Sequence, residues 1–559
     1  MLPATPVISP MSTLIEKLRN LALKFGWARP ITLVCPNFTP EWEHPKTMLH
    51  NIFGSIEDWQ YKYYRFDLVD NFIPGYGQAY RHVVCNYVAK RLYAILAISD
   101  FQDTNGKNSF YVSGLPPDII EAHEIYSSTV VESTIWPLKM PNFLVNFIIA
   151  VLIIIFTLFW TLSRIRPFLR PAKKYSVMAD YNNDPSDINL YEEMADLGDV
   201  CLIRRSDTRF FNPHQDTEYT NNISKYDMYR ASNGALEPMQ AVLGLWKAIA
   251  EGIKIYCFAG KYEPALFYKL ISLPYKSIVY RSLFRRFRPK IFWSNDAYNV
   301  EHIIRRQELK AVNGQSWCFL HGYPTYAPIF PMFRYLSFDK LYAVSRHFYE
   351  RDYVDTWNSD IEVVDASTDR ASRRIFAKRL PVDQKPSDII VLCGIFVIEP
   401  RIVDFVTTLA SNFPERKIYF QIKKKFRELN EGKSLVNACI QKCPNIDVST
   451  PDIYELFTKA KYVFSDPSTA IMEGLQFGSM VFSVDISDIQ VVSPLREFGD
   501  ICVNSGQSAT RVIKSIEDGS WVYPFELIKP LANIDGECFE DRLRRDLGLN
   551  PREVARPVW

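Results

Sequence analysis

Ser465-Asp466-Pro467-Ser468-Thr469-Ala470-Ile471-Met472-Glu473-Gly474-Leu475-Gln476-Phe477-Gly478 lies between two apolar runs, Tyr462-Val463-Phe464 and Met480-Val481-Phe482-Ser483-Val484. The order reads as strand, tight turn, helix, glycine stop, strand. Ser468 and Thr469 fall where the helix begins. A helix N-terminus carries unbonded N–H groups and partial positive charge, which suits a phosphate. Two readings follow: the turn holds the phosphate of a nucleotide-activated donor, or Ser468 serves only as an N-cap.

Working outward, more strands alternate with helices. Ile389 to Gly394, Lys417 to Ile422 and Ile446 to Val448 read as strands of one α/β domain, 385–520. Upstream, Tyr175 to Asp180, Val200 to Ile203, Lys290 to Trp293, Trp317 to Leu320, Lys340 to Val344 and Ile361 to Val364 are strands of another, 174–370. Helical spacing covers Gln240 to Ala250 and Glu301 to Lys310. The fold class is α/β, a pair of doubly wound Rossmann-type domains whose strand ends line a ligand crevice. A polar, charged stretch from Asp369 to Asp388 is the expected linker. Beyond a helix at Thr510 to Ile516, a tail at 521–559 is expected to be irregular.

A length of 559 residues is too long for one ordinary core. A net charge of +2 disfavours a polyanionic partner, and no nucleic-acid binding is expected. The ten cysteines form no CxxC pair, and no metal site is expected. They read as reduced core residues. The N-terminus shows no charged region followed by an apolar one, so a cleaved signal peptide is not expected.

Phe143 to Leu162 reads FLVNFIIAVLIIIFTLFWTL, with Asn146, Thr157 and Thr161 as its polar residues. Its length matches the hydrocarbon core of a bilayer. Arg164, Arg166, Arg170, Lys173 and Lys174 follow it, against Lys139 just before. A transmembrane helix at 141–164 is expected, with residues after 164 in the cytoplasm. Residues 1–140 form a region of unknown role, with a possible strand at Ile31 to Cys35 and helical spacing from Tyr80 to Ile98. A hydrophobic helix that does not fully cross is the alternative. Tyr275 to Lys290 mixes six Lys or Arg with apolar residues and reads either as a membrane-surface helix or as one packed on its own domain.

The order His321-Gly322 after a strand, Ser345 after the next, and Asp466 to Glu473 resembles the GT-B class of glycosyltransferases. Within it, the likeness is to bacterial surface-carbohydrate enzymes related to capsule Kdo transferases, polysialyltransferases and CDP-glycerol glycerophosphotransferases. It covers roughly 174–520. It implies a membrane-anchored transferase at the cell inner membrane, taking a nucleotide-activated sugar to a glycan or lipid-linked acceptor. It implies no bound metal or cofactor. The family's histidine after the second strand of the second domain is missing: the place reads Lys423-Lys424-Lys425. Alternatives are a CDP-polyol phosphate transferase, a sugar-nucleotide epimerase, and a catalytically silent scaffold.

Such a reaction needs a base for the acceptor hydroxyl and positive charge for the leaving phosphate. His321, Asp296 and Asp180 stand at strand ends as candidate bases, His321 for its neutral-range titration. Asp296 reads equally as a cap. On the donor side the candidates are Ser468, Thr469, Glu473, Lys423, Lys425, Ser345 and Gly394, with Glu473 placed for ribose hydroxyls.

Overall fold

The computed structural model describes residues 63–88, 109–113, 130–134, 141–165, 173–180, 185–204, 223–227, 238–320, 333–394, 401–423, 427–428, 430–448, 452–486, 495–534, 536–550 and 552. Ile31 to Cys35, His321 and Lys425 lie outside them. The chain divides into two compact units.

The first unit unites residues 50–156 with Ile249–Pro274. Two short strands, β1 (Ser109–Ser113) and β2 (Val130–Thr134), pair in parallel. Tyr262 is the hub of an aromatic cluster with Tyr63 and Tyr64. Tyr87 donates to Glu263 at 2.8 Å, and Glu263 caps the next helix by accepting from Ala265 and Leu266 N–H. The expected first α/β domain therefore cedes 249–274 to the unit that holds the N-terminal region.

Helix α1, Asn142–Arg164, is long and apolar enough to cross a membrane. Its early turns are fastened by Asn146, which donates to the carbonyls of Gly260 and Tyr262 at 2.8 and 2.7 Å. Near its end Trp160 meets Tyr275 edge to face. Phe147, Leu152, Phe156 and Phe159 remain exposed.

The second unit contains both large sheets. The first has seven parallel strands: β3 (Val177–Asp180), β4 (Val200–Arg204), β5 (Ile223–Asp227), β6 (Ile291–Ser294), β7 (Gln315–Phe319), β8 (Lys340–Ala343) and β9 (Glu362–Asp365), in the order β5-β4-β3-β6-β7-β8-β9. The second has six: β10 (Ile389–Cys393), β11 (Ile418–Ile422), β12 (Ile446–Asp447), β13 (Tyr462–Ser465), β14 (Met480–Val484) and β15 (Cys502–Val503), in the order β12-β11-β10-β13-β14-β15. Each sheet begins at an inner strand, runs outward one way, then returns and runs outward the other. These are two doubly wound, Rossmann-like domains. Strands β10, β13 and β14 are buried throughout, as parallel strands covered on both faces must be.

Between the sheets the chain is tightly held. Helix α2 (Pro185–Ala195) of the first domain supplies Glu193, whose carboxylate binds Arg373 at 3.2 Å and Arg544 at 2.7 Å. Asp196 just beyond it takes Arg544 at 2.5 Å and Arg552 at 2.6 Å. Burial opposes the charge on Asp196, but these arginines outweigh it and hold its carboxyl below the usual carboxylate range. Arg379 donates to the carbonyls of Gln476, Ile534 and Gly536. The expected loose linker is thus packed. The expected irregular tail forms two helices, Phe525–Ala532 and Phe539–Asp546; Phe539 of the second sits against Trp293, Phe319 and Tyr342 of the first sheet.

The Tyr275 to Lys290 stretch belongs mostly to a helix, Leu273–Phe287, and resolves in favour of domain packing. Ile278, Val279, Leu283, Phe284 and Phe287 are buried. Lys276 pairs with Glu301 at 2.6 Å and Arg281 with Glu308 at 2.8 Å. Two of its cations are taken by protein carboxylates, and its apolar residues are core.

Lys385 makes a testable contribution to stability. It is buried, with Nζ donating to the Phe457 carbonyl at 2.5 Å and to Ser479 at 2.9 Å. Burial, helped by Arg379, pushes its ammonium down to about 7. Between that value and the roughly 10.4 of a free lysine, the unfolded chain holds a proton that the folded chain lacks, so stability rises with pH. From pH 7 to 9 the gain attributable to this group is roughly 2 kcal/mol. Denaturant unfolding at those two pH values should show it, and Lys385→Met should flatten the slope. An unchanged slope in the variant assigns the pH dependence elsewhere.

Candidate functional site

Both sheets reverse their winding at an inner pair of strands, where connections leave to opposite faces and a crevice opens beyond the carboxyl ends. In the first domain that pair is β3 and β6; in the second it is β10 and β13. Most of the described predicted residues fall at or beside these two places, and the chemistry of the two differs.

At the second, Gly394 follows β10, Lys423 follows β11, and Asp466 and Ser468 follow β13. The register sets Cys393 beside Ile422 and Leu392 beside Ser465, so these three strand ends are neighbours. The Lys423 N–H donates to the Cys393 carbonyl at 2.9 Å, and the Asp466 N–H to Leu392 at 3.3 Å. A Cβ on Gly394 would overlap the Asp466 carboxylate, so a hydrogen is required there by close approach. The Lys423 side chain is exposed and directed to solvent at this edge.

Ser468 occupies the N-cap of the helix Thr469–Gln476, in extended geometry, yet its hydroxyl makes no capping bond. Its Oγ lies 3.4 Å from Ser465 Oγ instead. Ser468, Thr469 and Ala470 are half-buried at the mouth of the crevice, whereas the following residues are core. The capping reading alone leaves the orientation of this serine without a partner on the helix.

Glu473, one turn further, is buried. Its Oε1 accepts from Thr368 Oγ1 at 3.1 Å and from Tyr454 at 3.2 Å. Burial pushes its carboxyl up, with Arg370, Thr368 and Tyr454 opposing. Gln476, three residues on, accepts from the Thr368 N–H at 2.9 Å and donates to the Ala366 carbonyl at 3.2 Å. The helix therefore grips the segment that leaves β9 for the second domain.

At the first reversal, Asp180 ends β3. Its Oδ2 accepts from Arg305 Nη1 at 2.5 Å and Ser294 Oγ at 2.6 Å, and Arg305 Nη2 donates to Ser294 at 3.0 Å. Arg305 is fully buried. Asp180 is thus the counter-ion of a buried guanidinium, which corrects its reading as a base. Asp296 accepts from the N–H groups of Tyr298 and Asn299 at 3.1 and 3.2 Å, and both its oxygens meet Asn299 Nδ2. It folds the turn that leads into Glu301–Lys310 and remains partly open to solvent. Ser345, expected against the donor, is fully buried: it donates to the Pro530 carbonyl at 2.7 Å and accepts from the His347 N–H at 3.0 Å. These bonds join the first sheet to the returning helix, away from the crevice edge where the donor was expected.

Arg370 escaped the sequence reading because it sits in the stretch taken for a linker. It is exposed, and its positive charge acts on Tyr298 of the first domain and on Tyr454 and Glu473 of the second. A polar, charged run gave no signal for it; only the tertiary path of residues 366–370 brings this cation to groups of both domains. Among the described residues no cluster of His, Cys, Asp or Glu has the makings of a metal site.

No protein-family model and no curated protein matches the chain. The chain is similar to a number of solved structures. They include a glycosyltransferase from Rickettsia africae ESF-5, 12% identical with a TM-score of 0.37 over 67% of this chain and 97% of that one. A UDP-GlcNAc 2-epimerase from Neisseria meningitidis bound to UDP-GlcNAc is 11% identical, with a TM-score of 0.40 over 66% of this chain and 98% of that one. The wall teichoic acid polymerase TagF is 10% identical, with a TM-score of 0.39 over 73% and 97%. The architecture stands on the two sheets themselves.

Proposed function

We propose that the chain is a membrane-attached glycosyltransferase, which carries a sugar from a nucleotide-activated donor to a glycan or lipid-linked acceptor without a bound metal. The observation that carries this reading is the edge at β10 and β13. A glycine held against a carboxylate, an exposed lysine, and a helix start whose serine leaves its own cap unmade converge there. Partial positive charge at the helix start and the Lys423 ammonium suit a leaving phosphate. Lys425 is assigned the same task, and Arg370 supplies a further cation from the opposite domain.

On the acceptor side His321 is the proposed base, following the Phe319-Leu320 strand end. Asp296 is the second candidate, since its carboxylate keeps some solvent access. Glu473 is proposed to contact the donor through the oxygen not given to Thr368 and Tyr454, or, equally, to set the domain junction against which the donor lies.

Replacing both hydroxyls, Ser468→Ala with Thr469→Ala, is expected to weaken nucleotide binding about tenfold, the loss of one or two good hydrogen bonds to a charged group. His321→Ala should leave binding intact and slow transfer by about 100-fold or more. Isothermal titration and a transfer assay with membrane lipid extract as acceptor check the two together. Equal loss of binding in both variants contradicts the division of roles. The fold also suits a silent scaffold lacking the family's second histidine, and nucleotide binding without hydrolysis or transfer would favour it.

A further inference from the structure

We infer that a second helix, Pro238–Ala259, turns its outer face to the lipid of a bilayer, so that the chain touches its membrane along this helix as well as through α1. The sequence spacing announced a helix here only to Ala250; the structure extends it by more than two turns. One side is committed to the protein. Ala241, Gly244, Ala248, Glu251, Ile255 and Phe258 are buried, and a Cβ on Gly244 would touch Ile278.

The opposite side is apolar and bare. Met239, Val242, Leu243, Trp246, Ile253 and Cys257 are exposed, Trp246 by 75%. At 100° per residue these six positions fall within an arc of about 100°. Soluble surfaces scatter single apolar residues but seldom line them up over a whole helix.

Charge decides what covers this stripe. The other two exposed side chains of the helix are Lys247 and Lys254, both on one border of the arc. The single carboxylate of the helix, Glu251, is buried, and reaches only to Lys254 at 3.2 Å. An apolar stripe edged by lysines, with an exposed tryptophan and no outward acid, matches an anionic bilayer surface, where lysines reach the headgroups and tryptophan sits at the boundary. A second copy of the chain is the poorer fit, because self-pairing would bring lysine borders toward one another. α1 offers lipid a second apolar surface, with Phe159 open by 68%. The inference is independent of the transfer chemistry and would hold equally for a silent scaffold.

The test uses the full wild-type chain in vesicles of phosphatidylcholine and phosphatidylglycerol, photolysed with an aryl diazirine confined to the bilayer. Trypsin then releases 231–247, which carries Met239, Val242, Leu243 and Trp246, and 402–416, most of it in the helix Arg401–Asn412 of the second domain, as the control. Labelling of 231–247 is expected to exceed the control by about tenfold, with the adducts on the stripe. Labelling at the control level, with 143–162 strongly labelled, overturns the inference. So does protection of 231–247 in the vesicles together with a dimeric mass of the solubilised chain, which would assign the stripe to a second copy.

Discussion

Asp180→Ala should destabilise the folded chain by about 3–5 kcal/mol, because it strands the Arg305 guanidinium inside the first sheet. Arg305 has no exposed surface, and its polar partners Asp180 and Ser294 are the strand ends at the reversal of winding. The lost charge pair itself is worth little beyond its desolvation cost. What makes the variant severe is the unpaired cation that remains. Urea unfolding of the purified chain measures the effect. The double variant Asp180→Leu with Arg305→Met removes both charges and should recover most of the loss, since a buried pair is often replaceable by apolar residues of similar size. If Asp180→Ala has wild-type stability while transfer collapses, Asp180 is a catalytic base after all.

Gly394→Val is expected to have the largest effect on ligand binding. No backbone strain is involved. The side chain would occupy space held by the Asp466 carboxylate, and Asp466 is itself buried. Overpacking of this kind costs about 1–3 kcal/mol in stability. The larger consequence is local: the Asp466 carboxylate must turn aside, directly beside Pro467 and Ser468, which start the helix. A site that depends on donors held within tenths of an ångström loses affinity when its first turn shifts, and a loss of about 100-fold is expected. Thermal unfolding and nucleotide titration separate the two effects. Normal nucleotide affinity in a folded Gly394→Val chain would remove this edge from the donor site.

Much of this was legible before the structure. Strands such as Ile389–Cys393 and Met480–Val484 are near-continuous apolar runs, because parallel strands between helical layers are wet on neither face. Edge strands carry no such mark, and Ile223–Asp227 and the two-residue Cys502–Val503 went unread. The helix at 469–476 was announced by Ser468 before it and Gly478 after it, and Gly478 does adopt the left-handed conformation.

The side-chain roles were less legible, because they depend on partners distant in sequence. Asp180 and Ser345 looked like site residues from their place at strand ends. Their actual partners are Arg305 and Pro530, 125 and 185 residues away. The same cause hid Arg370. Basic residues at 276 and 281 looked available for lipid, and Glu301 and Glu308 had already taken them. The stripe on Pro238–Ala259 was invisible for the opposite reason: periodicity shows that a helix has an apolar face, but this one has two, and only burial tells which is covered.

Thermal unfolding of the detergent-solubilised chain with CMP, CDP, UDP and GDP, run beside the Ser468→Ala, Thr469→Ala variant, is the decisive measurement. One nucleotide at about a hundred times its dissociation constant should add roughly 2.7 kcal/mol of stability to the wild-type chain, and much less to the variant. Stabilisation by CMP would direct the search to acidic sugars, and by CDP to polyol phosphates. No stabilisation of folded wild-type chain by any of the four, or equal stabilisation of chain and variant, would contradict a donor site at the edge of the second sheet.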